Sequence, residues 1–380
     1  VNFLRRLPLS RLLLVCGLAV AIGISATALA SAVGGGPTPP AKPLAEAIHG
    51  ALTAESVQGV SANITYTNHL IEGASLAGAG GGDSAGGQAG ELISSPLMTG
   101  ASGRLWADKQ HVRLELQSEK GDMQVIYDGH TVSIYDAATN TVYRYTPGQG
   151  EGGTPSAPAA KTPEQDGASG SGHEAPSVAK IEEAISHLRQ HVNLSEATPT
   201  DVAGQPAYTV RVSPKEAGSL IGGAELSFDA THGLPLRAAV YSSTSSSPVM
   251  ELAATEVSYG PVASSVFSFS PPASAKIVEL TPPSGSGSGA GHKAADKNAT
   301  KLTTSGSGVT GIAVLQSTVK PGSKSPSTIE GLPKVKINGA TASELRTALG
   351  TILTFERSGV RYVVAGAVPS STVEAFAKGL

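Results

Sequence analysis

His187 and His191 stand four residues apart, and Glu183 precedes them at the same interval. On a helix that spacing brings all three to one face, and two imidazoles so placed can bind zinc. The same stretch carries Ile181, Ile185, Leu188 and Val192 at helical spacing, on the opposite face. The histidines therefore sit on the solvent face, and no His-Glu-x-x-His pattern accompanies them. Serine is abundant, yet no Gly-x-Ser-x-Gly lies between a strand and a helix, where a hydrolase nucleophile would sit. Asp128 and Asp229 fall at hairpin turns, where aspartate has a structural use. No glycine-rich stretch has the strand–loop–helix frame that cradles phosphate. Asn63, Asn193 and Asn298 open glycosylation triplets, a pattern short enough to arise by chance. No catalytic residue, metal or cofactor is expected, and the chain reads as a binding protein and not as an enzyme.

Aromatic and aliphatic side chains remain. Trp106 is the only tryptophan, and it reads as a pocket wall or as an ordinary core aromatic. Tyr127, Tyr135, Tyr143 and Tyr145 fall on successive hairpins, where they cover a sheet edge or a cavity mouth, or pack across strands.

Strands must position these groups, because the apolar period is mostly two. Val60, Ala62, Ile64 and Tyr66 alternate with polar neighbours, as do Val112, Leu114 and Leu116. Met123, Val125 and Tyr127, then Val132 and Ile134, then 141–145 continue the pattern, with turns at Asp128-Gly129 and near 137–140. Tyr208, Val210 and Val212 follow, then Leu226 and Phe228, then 234–241 and 249–259. One apolar face per strand and short turns mark an antiparallel meander with one side covered. Two amphipathic helices supply the cover. One spans about 42–57, with Leu44, Ala47, Ile48, Ala51 and Leu52 on one face; the other spans 177–192, with Ser177 as its N-cap. A sheet and helices with one apolar face each must pack together.

The flanks place this unit outside the cytoplasm. Arg5, Arg6 and Arg11 precede an uncharged apolar run, 12–30, that ends in Ala28-Leu29-Ala30 and Ser31-Ala32. Those are the parts of a secretory signal. The run is also long enough to span a bilayer, so residues 1–32 read as a cleaved signal or as a retained anchor. Cys16, the only cysteine, lies inside the run, so the exported part has no disulfide and must be stabilised by its core. With 27 basic and 30 acidic residues there is no positive footprint for nucleic acid. Gly- and Pro-rich stretches at 74–90 and 147–176 read as flexible insertions, and 281–308 reads as a linker. After it, 309–380 suggests a small α/β unit. Its expected parts are a strand at 309–319, a helix at 342–349 capped by Thr341, a hairpin turning at Ser358-Gly359, and a closing helix at 369–377.

Several of these segments resemble one family. The stretch from Leu226 to Arg237, with Asp229 and Gly233 at its turn, looks like the strand–turn–strand hairpin of the LolA/RseB superfamily of lipoprotein carriers and envelope-stress regulators. Asp201 to Val212 resembles the strand before it, and Val257 to Pro272 resembles the last strand with its Phe-x-x-x-Pro-Pro ending. Tyr127 to Asp136 looks like the family's Asp-Gly hairpin, and Val360 to Ala375 is similar to the C-terminal end of RseB/MucB-type regulators. The resemblance covers about 44–280 without its insertions. It implies an α+β fold: an antiparallel LolA-like half-barrel over 42–280, capped by helices, plus the small C-terminal unit. It also implies a lipid or acylated protein held in an apolar cavity. The alternative is a regulator of the RseB type that binds an anti-sigma factor or another membrane-anchored protein. The expected cavity lining is Trp106, Leu114, Leu116, Val125, Ile134, Tyr208, Val210, Leu226 and Phe228, positions that would equally form the filled core of a structural envelope protein.

Overall fold

The computed structural model describes residues 36–71, 100–119, 121–146, 175–280, 301–319 and 332–380. The leader at 1–32 and the insertion at 74–90 lie outside the described residues, as does nearly all of the insertion at 147–176. Among the described residues no helix is long and apolar enough to cross a membrane.

The chain builds two open sheets and few helices. Helix α1 (Leu44–Thr53) and strands β1 (Gly59–Asn68), β2 (Ala101–Asp108), β3 (Val112–Ser118), β4 (Gly121–Tyr127), β5 (Val132–Asp136) and β6 (Thr141–Tyr145) come first. Helix α2 (Val178–His191) follows. Then come β7 (Val192–Leu194), β8 (Thr198–Val202), β9 (Gln205–Pro214), β10 (Ile221–Asp229), β11 (Pro235–Ser242), β12 (Pro248–Tyr259) and β13 (Lys276–Glu279). These strands form one sheet in the order β13-β6-β5-β4-β3-β2-β1-β12-β11-β10-β9-β7, with β8 also on β9. The meander expected from the sequence is present, and β12 returns beside β1 to join its two halves. One pairing departs from it: β13 runs parallel to β6.

Helix α2 starts where the sequence places it, and α1 is shorter than the expected 42–57. Ser177 caps α2 by accepting a hydrogen bond from the Lys180 backbone N–H at 3.4 Å, and Arg189 and His191 in the last turn suit the helix dipole. Pro43 precedes α1, and Glu46 lies in its first turn. The two helices pack on each other. They share a core of Leu44, Ala45, Ala47, Ile181, Ile185, Ala197, Tyr208 and Phe228, with Leu194, Val210 and Ala230 at its margin. The sheet residues of that core all come from the end of the sheet that holds β7 to β10.

The second sheet contains β14 (Lys301–Ser305), β15 (Ile312–Thr318), β16 (Lys334–Ile337), β17 (Ala340–Arg346), β18 (Thr351–Arg357) and β19 (Val360–Gly366), in the order β14-β15-β19-β18-β17-β16. Helix α3 (Ser370–Ala377) covers one face. Two expectations fail here. The segment read as a linker contains β14, and the helix expected at 342–349 is instead strand β17. The unit is thus an antiparallel sheet with one helix, not an α/β unit. Asn338 and Gly339, with φ of 47° and 86°, turn a two-residue hairpin between β16 and β17. That turn demands φ > 0 at both positions. Once β17 is paired on both sides, its Ala, Glu and Leu residues follow the sheet and not their helix propensity.

The second sheet meets the first at the ends of β1 and β10 to β12. Leu220 N–H donates to Ala367 O at 2.7 Å, and Ala348 N–H donates to Leu70 O at 3.0 Å. Val249 and Met250 pack there beside Leu70, Ala348 and Leu349.

Candidate functional site

Cross-strand partners share a face, so the register sorts the expected lining residues. Leu105, Leu114, Val125, Ile134 and Tyr143 are successive partners across β2 to β6. Gly103, Leu116, Met123 and Asp136 form the neighbouring row on the same face. Through Ala62, Ile64 and Tyr66 that face passes to Val257, Ala254 and Leu252 on β12. From there it continues through Ala238 and Leu226 to Val210, and through Phe228 to Tyr208. Tyr208 and Phe228 are the side chains that meet α1 and α2, so this is the inner face. Eight of the nine expected residues lie on it: Leu114, Leu116, Val125, Ile134, Tyr208, Val210, Leu226 and Phe228.

Trp106 does not. Its partners are Ser61 and Arg113, in the opposite register. The alternating positions Ala101, Gly103, Leu105 and Ala107 take the inner face and leave Trp106 on the outer one. The tyrosines divide in the same way. Tyr127, Tyr143 and Tyr145 are inner, while Tyr135, partner of Gln124, is outer.

The two ends of the inner face differ. At the helix end Tyr208, Leu226 and Phe228 are buried, and the Tyr208 hydroxyl donates to Pro40 O at 2.7 Å. At the other end Leu105, Leu114, Val125, Ile134 and Tyr143 are only half-buried. Leu252, midway along the face, is 36% exposed.

The outer face of the same strands is partly covered by another segment of the chain. Across β3 to β6 the buried outer residues are Ile126 and Val142. The chain covers them itself: after β12 a short 3₁₀ turn, Ser264–Phe267, folds back over this face. Phe267 stacks on His111 with ring centroids 5.2 Å apart, and Phe269 meets Tyr135 at 6.0 Å. Arg113 fastens the segment by donating to Val266 O at 2.8 Å and Ser268 O at 3.2 Å. A polar opening of about 410 Å³ remains on this side, bordered by Arg144, Asp128, Glu279 and Phe269. Its charges do not suit an acyl chain.

Further along the outer face lies a partly buried charge cluster, in which Glu251 is fully buried. Arg237 donates to Glu251 at 2.5 Å and to Glu225 at 2.9 Å, and Arg211 donates to Glu225 at 2.8 Å. Tyr241 gives Glu225 a third partner at 2.6 Å, and the Arg211 guanidinium lies over the Tyr241 ring. Burial opposes the charge on Glu225, but the bonds from Tyr241, Arg237 and Arg211 hold its carboxyl below the usual value. Burial wins at Glu251, whose single cationic partner leaves its carboxyl raised and its Oε2 without a hydrogen bond. Sequence reasoning missed this cluster, because its members alternate with apolar residues as any polar face does.

Aspartate turns recur at the hairpin tips. Asp229 accepts from the backbone N–H groups of Thr231 and His232 and from the Tyr259 hydroxyl at 2.8 Å. Asp128 accepts from His130 and Thr131, whose backbone N–H groups help hold its carboxyl below the usual value. These are the structural uses expected of both residues. His187 and His191 are exposed on α2, their rings 5.5 Å apart. Among the described residues no group of three or more His, Cys, Asp or Glu side chains could hold a metal.

No family model matches the sequence, and no curated protein matches it. Solved structures do. The chain is similar to MucB in complex with MucA(peri), at 16% identity over 88% of this chain and 94% of that one, with a TM-score of 0.41. It is similar to the Pseudomonas aeruginosa MucA/MucB complex at 17% identity over 88% and 94%, with a TM-score of 0.38. It is also similar to the LolA superfamily protein NE2245 from Nitrosomonas europaea, at 7% identity over 85% and 91%, with a TM-score of 0.19.

Proposed function

We propose that the larger sheet is a half-barrel that holds the acyl chains of a lipid or of an acylated protein, outside the cytoplasm, in a binding role and not a catalytic one. The observation that carries this reading is the half-buried row Leu105, Leu114, Val125, Ile134 and Tyr143. The helices close the far end of the same face, and the chain's own Phe267 segment covers the opposite face. The apolar surface left over is inner, continuous and free of charged neighbours in its own row.

Burial supplies the affinity. Each methylene removed from water contributes about 0.8 kcal/mol. A chain of about a dozen methylenes gains on the order of 10 kcal/mol before the costs of ordering it. No polar contact is needed to retain it, which suits a carrier or sensor that must also let go.

Native mass spectrometry of the full chain, purified from a bacterial envelope without detergent, tests the proposal. An extra mass that organic extraction identifies as lipid supports it. A clean apo mass sinks it and turns the reading to the envelope regulator that binds a membrane-anchored protein.

A further inference from the structure

The larger sheet distributes its basic residues unevenly between its two faces. Arg104, Arg113, Arg144, Arg211 and Arg237 each fall between two inner residues of their strands, so all are outer. Lys276 is inner. It pairs with Thr141, which pairs with Asp136, which pairs with Met123, so it ends the inner row that begins at Gly103 and Leu116. The parallel pairing of β13 on β6 puts it there. Among the described strands Lys276 is the one Lys or Arg on the inner face. It is exposed, and among the described residues it forms no ion pair. The acid in its row, Asp136, is committed to its own hairpin tip. There Oδ1 accepts from the Ala138 and Thr139 N–H groups at 2.9 and 3.4 Å, and Oδ2 accepts from the Thr139 hydroxyl at 2.9 Å.

The two ends of the inner face fix the direction in which an acyl lipid lies on it. The β7 to β10 end is buried under α1 and α2 in a core of Tyr208, Phe228 and aliphatic side chains. A headgroup left there would lose its water without gaining polar partners. At the other end β13 is the edge strand, and water reaches Lys276. Tyr143 and Tyr145, one strand in from that edge, are half-buried inner residues. Tyrosine suits such a border, with an apolar ring and a polar tip. From β2 to β13 the inner row crosses five strand spacings, about 24 Å. One leaflet of a bilayer core is about 15 Å thick, so a whole membrane acyl chain fits along the row with its headgroup at the edge.

We infer that the inner face takes a lipid with an anionic headgroup, which stays at the β13 edge against Lys276 while the acyl chain runs along the inner row toward α1 and α2. This rests on the acyl-binding proposal and adds a direction and a headgroup charge to it. Burial of the chain still supplies most of the affinity, because an exposed ion pair is weak. Lys276 selects and orients.

The test compares two pyrene-labelled lipids with identical chains, phosphatidylglycerol and diacylglycerol, binding to the full chain at low salt. The expected result is that phosphatidylglycerol binds about three- to fivefold more tightly. Lys276→Gln keeps the backbone bond from Lys276 N–H to Asn140 O and should erase the difference by weakening phosphatidylglycerol alone. Lys276→Glu should reverse it, and rising salt should narrow it in the native chain. Arg144→Gln removes a charge from the opposite face of β6 and should leave the preference in place. Millimolar glycerol phosphate should displace neither lipid. Equal binding of the two lipids, or a preference that survives Lys276→Gln, overturns this inference and leaves acyl binding intact. An equal loss with Arg144→Gln also overturns it, because the attraction would then be long-range and not local. Displacement of phosphatidylglycerol by glycerol phosphate would make Lys276 a site for free phosphate and overturn the lipid assignment. Binding of neither lipid overturns the acyl-binding proposal, and this inference with it.

Discussion

Two apolar faces of this molecule are written in the same alternating pattern and end in different states. In the second sheet the face under α3 is closed: Leu353 and Val364 are 0% exposed and Phe355 is 1% exposed. In the first sheet the row from Leu105 to Tyr143 stays half-buried. An eight-residue helix is enough to close a core drawn from five of the six strands. The two helices of the larger sheet meet only its β7 to β10 end. Alternation thus tells which face is apolar, and the supply of covering elements tells whether that face becomes core or stays available.

The comparison breaks most visibly under truncation. Leu353→Ala should cost about 2–5 kcal/mol, as a cavity in a closed core does. Ile134→Ala should cost about 1 kcal/mol or less, because water already reaches that side chain. Thermal melts of both variants decide it, and equal losses would mean that the two faces are equally filled.

The outer face offers the next largest effect. Glu225→Gln removes the carboxylate charge and puts an amide N–H2 in place of one of the two oxygens that accept from Arg211, Arg237 and Tyr241, which leaves partly buried cations short of charge. The expected loss is about 3 kcal/mol in a denaturant titration. A neutral outcome would show that this network does not anchor the helix-covered half.

Gly233 tests how firmly that half is closed. It has a φ of +68°, and a Cβ there would lie 2.2 Å from Ala51 O in α1. Gly233→Ala should cost about 1–3 kcal/mol through strain and displacement of α1. Hydrogen exchange should rise in α1 and not in β3 to β6. Faster exchange in both regions would deny that the two ends are independent.

The smallest effect is one of pH. Glu225 has a depressed carboxyl value, so it stabilises the fold above the ordinary glutamate range, and that stability is lost as pH falls through the depressed value. Glu251 has a raised one, so the folded chain keeps a proton that the unfolded chain releases. Stability falls as pH rises from the ordinary glutamate value through the raised one. Glu251→Gln should therefore flatten the melting temperature against pH above the ordinary glutamate value and leave the acid side, where depressed carboxyls such as Glu225 and Asp128 take up protons, largely unchanged. An unaltered neutral limb would place the titration elsewhere.

Much of this was legible in the sequence. Period two located most strands, and eight of nine expected lining residues share the inner face because strand alternation survives any tertiary detail. Trp106 misled because it is apolar yet sits between the inward positions Leu105 and Ala107. Residues 342–349 misled because Ala, Glu, Leu and Arg favour helix locally, while the Asn338-Gly339 turn upstream was the stronger signal. Strand β13 was not legible at all: four residues paired in parallel to β6, each with a partner 135 residues earlier in the chain, carry no local mark of that partner. The buried Arg237 network and the Phe267 cover depend on contacts between distant segments, which alternation alone does not encode.

The most direct test of acyl binding is photolabelling of the full chain with a diazirine-bearing palmitate, followed by peptide mapping. Adducts on Leu114, Val125 and Ile134, suppressed by unlabelled palmitate, are the expected result. Adducts confined to the outer face around Trp106, or spread without preference over both sheets, would contradict the assignment of the inner row as the acyl site.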